Sequence, residues 1–412
     1  MLEDLIPRKL RDKYFLVVSV LTFLSGFALN WFISSRFPPY ALFKQPEKSI
    51  FQDKRIPGET QKSGNAIFKA CQTTGDRENC YAREFGALTK ETSFEHAVST
   101  LTALQTVDEE ARGCHFIAHN ISTAATEKDP DQWQLLLGKL SPDACSGGYL
   151  HGVLEARYKI DDAFVLDAKT VPQICALTIR NNKDARDGNC AHIMGHLLLV
   201  ETGAHIDEAV NMCAALPKKM QFECHSGVFM ENETRENLIA HKLAKKLPWD
   251  EETIAKQVDI CMQYTGPAHV GCWRELSHMI AFVYKDDPGT LYLRCQDGKS
   301  QESIDECYEH GLSIISHTSH FRNETSALFC QPYIVDDEKY WGCVNRVIGS
   351  LIKSTPEFST RAIGYCKTMP TSDLSSCYES VGKHLAKYLP KDGRARYCAN
   401  VPGDYKELCV GG

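Results

Sequence analysis

This sequence lacks the features that mark common enzymes and nucleic-acid binders. It has no glycine-rich phosphate loop, no Gly-x-Ser-x-Gly elbow, no His-Glu-x-x-His helix and no Cys-x-x-Cys-His haem motif. Familiar nucleotide, hydrolase and haem chemistries are therefore disfavoured. A concentrated run of basic charge is missing too. The formal net charge is −7 and no basic stripe runs along the chain, which argues against a nucleic-acid partner. Cys-x-x-Cys is missing, although 18 cysteines are present. Structural zinc sites space their ligands by roughly two to four residues, so zinc is a poor account of these cysteines.

The cysteines instead fall into pairs. An even, regularly spaced set implies oxidation outside the cytoplasm. Adjacency predicts the disulfides Cys71–Cys80, Cys175–Cys190, Cys213–Cys224, Cys261–Cys272, Cys295–Cys307, Cys330–Cys343, Cys366–Cys377 and Cys398–Cys409. Cys114 and Cys145 remain and are left to pair with each other, between neighbouring helices. Bridged Cα atoms stand within about 7 Å, closer than helix axes usually do at ~8–10 Å. That pair demands a close approach, which Gly147 and Gly148 would permit.

The second cysteine of each pair precedes a helix-like run, and the first closes one. From Cys80 through Cys114, Cys145, Cys190, Cys224, Cys272, Cys307 and Cys343 to Cys377, most steps are 31 to 36 residues. Only Cys145 to Cys190 and Cys224 to Cys272 are longer, which implies insertions. The modal step is that of a helix-turn-helix repeat. Apolar residues recur at three- and four-residue spacing in the closing runs. The expected fold is an all-α, disulfide-stapled helix-turn-helix repeat solenoid preceded by one transmembrane helix.

That helix is the uncharged stretch from Tyr14 to Ile33, long enough to cross a bilayer. Arg8, Lys9, Arg11 and Lys13 precede it and only Arg36 follows closely, so the N-terminus is expected in the cytoplasm. A cleaved signal peptide is the rival, but Asn30-Trp31-Phe32 makes a poor cleavage site. The expected domains are a cytoplasmic tail (1–13), a signal anchor (14–33), a proline-bearing linker (34–65) and an extracytoplasmic repeat domain (66–412). Sequons stand at Asn120, Asn232 and Asn323, too few to decide anything.

Around Cys295/Cys307-Tyr308-Glu309-His310-Gly311 and Cys366/Cys377-Tyr378, the chain resembles the Sel1-like branch of tetratricopeptide-type repeats. Its style is that of the disulfide-rich Helicobacter cysteine-rich proteins. The Leu-Gly and Gly-x-Gly turn signatures of Sel1 units are missing, and the gap between paired cysteines is longer. The resemblance implies a helical scaffold that binds a protein or ligand on a concave face. It carries over no catalytic residue.

Histidines gather in the first half of the array. His115 and His119, and His192 and His196, stand four apart, as do His151 and Glu155, so each pair shares a helix face. His151, His196 and His278 each fall six residues after their cysteine, and His225 and Glu231 belong to the next unit. Equivalent positions on successive helices lie side by side, so these residues would form a polar stripe. Imidazole with carboxylate suits a transition metal such as zinc, iron or copper. The candidate ligands are His115, His119, His151, Glu155, His192, His196, His225 and Glu231. The competing reading makes the histidines buried packing residues, and a pH-sensitive surface is a further option. Small residues near the cysteines read as packing features, and Phe116, Tyr149, Phe229, Trp273, Tyr308 and Tyr378 as core.

The expected function is a membrane-anchored extracytoplasmic scaffold that presents its concave face to an envelope or extracellular protein. The alternative is a metal-binding protein or metal-dependent enzyme built on the His/Glu stripe. The absence of enzyme motifs favours a binder over an enzyme.

Overall fold

The computed structural model describes residues 58–108, 110–139, 144–161, 164–179, 188–285, 287–318, 328–354, 359–387, 389 and 391–412. Among them are twenty α-helices and no strand. In chain order they are α1 (Gly58–Cys71), α2 (Arg77–Glu91), α3 (Phe94–Val107), α4 (His115–Lys128), α5 (Trp133–Lys139), α6 (Gly148–Ile160) and α7 (Thr170–Ile179). Next come α8 (Gly188–Glu201), α9 (Ile206–Ala214), α10 (Lys218–Thr234), α11 (Glu236–Ala240), α12 (Glu251–Cys261), α13 (Gly266–Val283) and α14 (Pro288–Cys295). The last are α15 (Gln301–Thr318), α16 (Asp337–Ser354), α17 (Ser359–Cys366), α18 (Leu374–Ala386), α19 (Lys391–Tyr397) and α20 (Gly403–Gly411).

One row of helices forms the spine. The order α2, α4, α6, α8, α10, α13, α15, α16, α18, α20 is a chain of packed neighbours. The intervening helices are tied to this row by the cysteines. Nine disulfides close the described set, with Cα–Cα distances from 5.2 to 5.9 Å, and no cysteine is free. Cys71–Cys80, Cys175–Cys190, Cys213–Cys224, Cys261–Cys272, Cys295–Cys307, Cys330–Cys343, Cys366–Cys377 and Cys398–Cys409 are local staples. Each short loop contributes about 3 kcal/mol by restricting the unfolded chain. Cys114–Cys145 joins the starts of α4 and α6.

The sequence places the second cysteine of each pair at the opening of a helix, and the structure places it deeper. Cys224, Cys272, Cys307, Cys343 and Cys409 are each the seventh residue of their helix. The turns before them are largely polar, as in Lys218, Lys219 and Gln221, so hydrophobic patterning does not mark them. The described domain also begins earlier than position 66, inside the stretch read as linker. α1 buries Thr60, Gly64, Ile67 and Cys71, a helical stripe written mostly in small and polar residues. Side-chain caps start several helices: Asp76 on α2, Ser93 on α3, Asp250 on α12 and Asp287, ahead of Pro288, on α14. A cap of this kind contributes about 1 kcal/mol.

Tyr81, Tyr149, Phe229, Trp273, Tyr308 and Tyr378 are fully buried. Phe116 departs from the core assignment and is exposed, at 41%. It sits on the outer side of α4, while its neighbours Ile117 and Ala118 face in. Positions 1–57, with the proposed tail, anchor and most of the linker, and Asn323 lie outside the described residues. Among the described residues no helix is long and apolar enough to cross a membrane.

Candidate metal centre

Glycines let several spine helices touch backbone to backbone, and two such pairs flank the histidines. On α6, a methyl at Gly148 or Gly152 would collide with the carbonyl oxygen of His115 or His119 on α4. On α8 and α10, Gly195 and Gly227 face each other. A methyl at either would strike the Cys224 or His192 carbonyl. Only glycine allows this approach, and the first zipper brings Cys114 and Cys145 within bonding reach. Between the two zipped pairs runs the seam of α6 against α8, and there the histidines stand.

His151 on α6 and His192 and His196 on α8 each offer one ligand nitrogen, all within 4.8 Å of one another. The rings of His151 and His196 are 5.2 Å apart, and those of His192 and His196 4.9 Å. Each ring is held from behind through Nδ1. Glu155 Oε1 takes His151 Nδ1 at 3.1 Å, Glu231 Oε2 takes His196 Nδ1 at 3.0 Å, and Ser226 Oγ meets His192 Nδ1 at 3.2 Å.

These partners set the protons. An ionised carboxylate only accepts, so Nδ1 of His151 and of His196 carries hydrogen. Ser226 gives its own hydrogen to Glu275 Oε1, so His192 Nδ1 must donate to Ser226. Each neutral ring then presents a bare Nε2. His192 Nε2 and His196 Nε2 stand 3.1 Å apart. Two lone pairs do not sit there unopposed: a proton joins them, or a metal that replaces it. Two nitrogens on a tetrahedral zinc would stand about 3.3 Å apart. The spacing of this pair is close to that value.

The charges agree with this arrangement. Burial by itself would lower the His196 pKa, but the hydrogen bond and charge of Glu231 reverse it and raise it. Burial, then the neighbouring His196 and His151, pushes His192 well below its ordinary range. Burial works against ionising Glu155. The His119 and His151 hydrogen bonds outweigh it and keep the carboxylate well below its usual range.

The insertion between Cys224 and Cys272 completes the shell. It contains the short α11, whose Asn237 Nδ2 lies 3.2 Å from Glu155 Oε1 and 3.0 Å from Glu231 Oε2. The backbone N–H of Leu238 donates to Glu231 Oε1 at 2.8 Å. Both carboxylates behind the histidines are thus fixed by one five-residue helix. Carboxylates behind ligating histidines orient the rings and raise their basicity.

Of the eight candidate ligands, three converge: His151, His192 and His196. Glu155 and Glu231 stand behind them and are not at the focus. His119 backs Glu155, with Nε2 on Oε2 at 2.8 Å, and its pKa is raised by that bond in spite of burial. His115 stacks edge-on to His151 at 5.1 Å, and burial drives its pKa down to about 3. His225 lies apart, buried with no hydrogen-bond partner on Nδ1. Sequence reasoning missed Ser226, Asn237 and Met230, whose sulfur lies 3.2 Å from His192 Nε2. Met230 falls six residues after Cys224, the same register as His151 and His196, and that signal was available. His278, also at that register, is on α13 beside Glu275.

Three imidazoles are the protein ligand set of an open zinc site. Closed structural sites use four protein ligands. The fold and this site together define a disulfide-stapled all-α repeat protein with a histidine-lined seam. No family model, no curated protein and no solved structure matches the chain.

Proposed function

We propose that this protein is an extracytoplasmic metal protein whose repeat array holds one divalent transition ion, zinc in the first instance, on His151, His192 and His196. The observation that carries the reading is the orientation of the three rings: each Nδ1 is engaged from behind, by Glu155, Ser226 or Glu231, so each Nε2 is left for an ion. Packing histidines have no need of carboxylates held in place by a separate helix. The open fourth position would take water or a substrate oxygen, the arrangement of a metal-dependent enzyme.

The nine disulfides support a location outside the cytoplasm. The apolar stretch from Tyr14 to Ile33 supports an anchor that leaves the N-terminus inside. A scaffold that shows a concave face to a protein partner, in the manner of Sel1-like arrays, would use the same helices. It gives no account of the ordered tautomers in the seam.

The test is metal analysis of the full-length chain, purified with an affinity tag that contains no histidine. The double variant His151→Ala/His196→Ala is expected to hold one equivalent of zinc fewer than the wild type, with helicity unchanged. His384→Ala should keep its metal. A wild type that binds no zinc would return the histidines to a packing role.

A further inference from the structure

A second group of donors lies two spine helices further along, outside the seam. Glu275 and His278 are on α13, and His310 is on α15. Their ligand atoms all lie within 4.8 Å of one another. Glu275 is 1% exposed, and its Oε2 has no hydrogen-bond partner. His278 Nδ1 stands 3.6 Å from it, beyond hydrogen-bond range. His310 Nδ1 donates to the Arg274 carbonyl at 3.0 Å, which leaves its Nε2 for a ligand. The two rings are 4.8 Å apart.

An ionised carboxylate oxygen buried without a donor is costly in general, and a cation bound beside Glu275 would supply the missing partner. We propose that Glu275, His278 and His310 form a second site for a divalent transition ion, distinct from the first. Two imidazoles and one carboxylate are a known open set for zinc and for ferrous iron. A tetrahedral ion bonded at about 2.1 Å spaces its ligands roughly 3.4 Å apart, close to the 3.6 Å between Glu275 and His278. Entry is open, since the His278 side chain is 18% exposed. Arg274, beside the site, pairs with Glu223 at 3.1 Å and approaches Glu275 at Oε1.

The two sites are joined. Ser226 donates to Glu275 Oε1 and accepts from His192 Nδ1. One hydroxyl thus orients a ligand of each. Filling the second site fixes Glu275, which fixes Ser226, which fixes the His192 tautomer that the first site needs.

The experiment is a titration of the metal-free full-length chain with Zn2+ against a chromophoric chelator. The wild type should take two equivalents. Glu275→Gln, which keeps the shape, and His278→Ala/His310→Ala should each take one, and His151→Ala/His196→Ala should keep one. Circular dichroism checks that helicity is retained, and the isosteric Glu275→Gln serves if the double variant does not fold. A wild type that takes one equivalent, lost in His151→Ala/His196→Ala but kept in Glu275→Gln, overturns the second site and leaves the first standing. A single equivalent lost only in Glu275→Gln and His278→Ala/His310→Ala would support the second site and sink the first.

Discussion

Asn237 offers the sharpest perturbation of the seam, because it touches no ligand and yet holds two carboxylates. Its amide nitrogen has two hydrogens, one aimed at Glu155 Oε1 at 3.2 Å and one at Glu231 Oε2 at 3.0 Å. In Asn237→Ala both bonds vanish. Each hydrogen bond to a charged acceptor contributes about 1.5–3 kcal/mol. Glu155 retains His119 and His151, and Glu231 retains His196 and the Leu238 N–H, so neither carboxylate is stranded. Most of the loss should therefore appear as looser rings rather than as unfolding. Changes behind a metal ligand cost ~10–100-fold in affinity, equal to about 1.4–2.7 kcal/mol. Zinc competition with a chromophoric chelator should show that weakening in Asn237→Ala, with unchanged helicity. Asn237→Asp should be worse than alanine, since a third carboxylate would face two others at hydrogen-bond distance with no hydrogen to give. If Asn237→Ala binds zinc as tightly as the wild type, or Asn237→Asp binds it better, the carboxylates are not what orients the histidines.

Other tests reach further parts of the molecule. Gly227→Ala puts a methyl onto the His192 carbonyl and should destabilise the α8–α10 contact by about 1–3 kcal/mol, read as a fall in melting temperature, with loss of bound zinc. Burial lowers the His225 pKa from 6.5 to about 4. The unfolded chain then takes a proton below about pH 6.5 that the folded chain refuses until about pH 4, so this contribution is whole above pH 6.5 and lost as pH falls. It amounts to roughly 3 kcal/mol at most. His225→Leu should show a smaller difference in urea stability between pH 7 and pH 4.5 than the wild type. Peptide mapping without reductant should recover nine disulfides, and complete reduction should lower the melting temperature steeply, because each local staple is worth about 3 kcal/mol.

Much of this was legible in the chain because the bonds are local. A cysteine that ends one helix and another that enters the next within 9 to 15 residues leave few pairings to choose from. The histidine stripe was legible through the i, i+4 rule and a shared register after the cysteine. Which residues ligate and which stand behind was not. That depends on the glycine contacts, which draw α4 to α6 and α8 to α10 and leave the histidines facing one another across the seam. Glu155 and His151 share a helix face, but only the position of α8 makes one a support and the other a ligand. His310 was passed over because it lies three residues after Cys307, whereas His278 lies six after Cys272. Adjacent helices pack with an offset, so different registers can meet.

The departures from the repeat period carry the strongest lesson. Regular steps build a spine whose units differ little in what they present. The long step from Cys145 to Cys190 separates α6 from α8, and that seam receives the three histidines. The other long step, from Cys224 to Cys272, supplies α11, which no regular unit needs. Its Asn237 and Leu238 N–H reach back across the seam to the two carboxylates. An array that only displayed a surface would gain nothing from a helix that closes over its own polar centre. In this chain the two breaks in the period coincide with a cluster of carboxylate-backed histidines, and that coincidence, more than any single histidine, argues for a site.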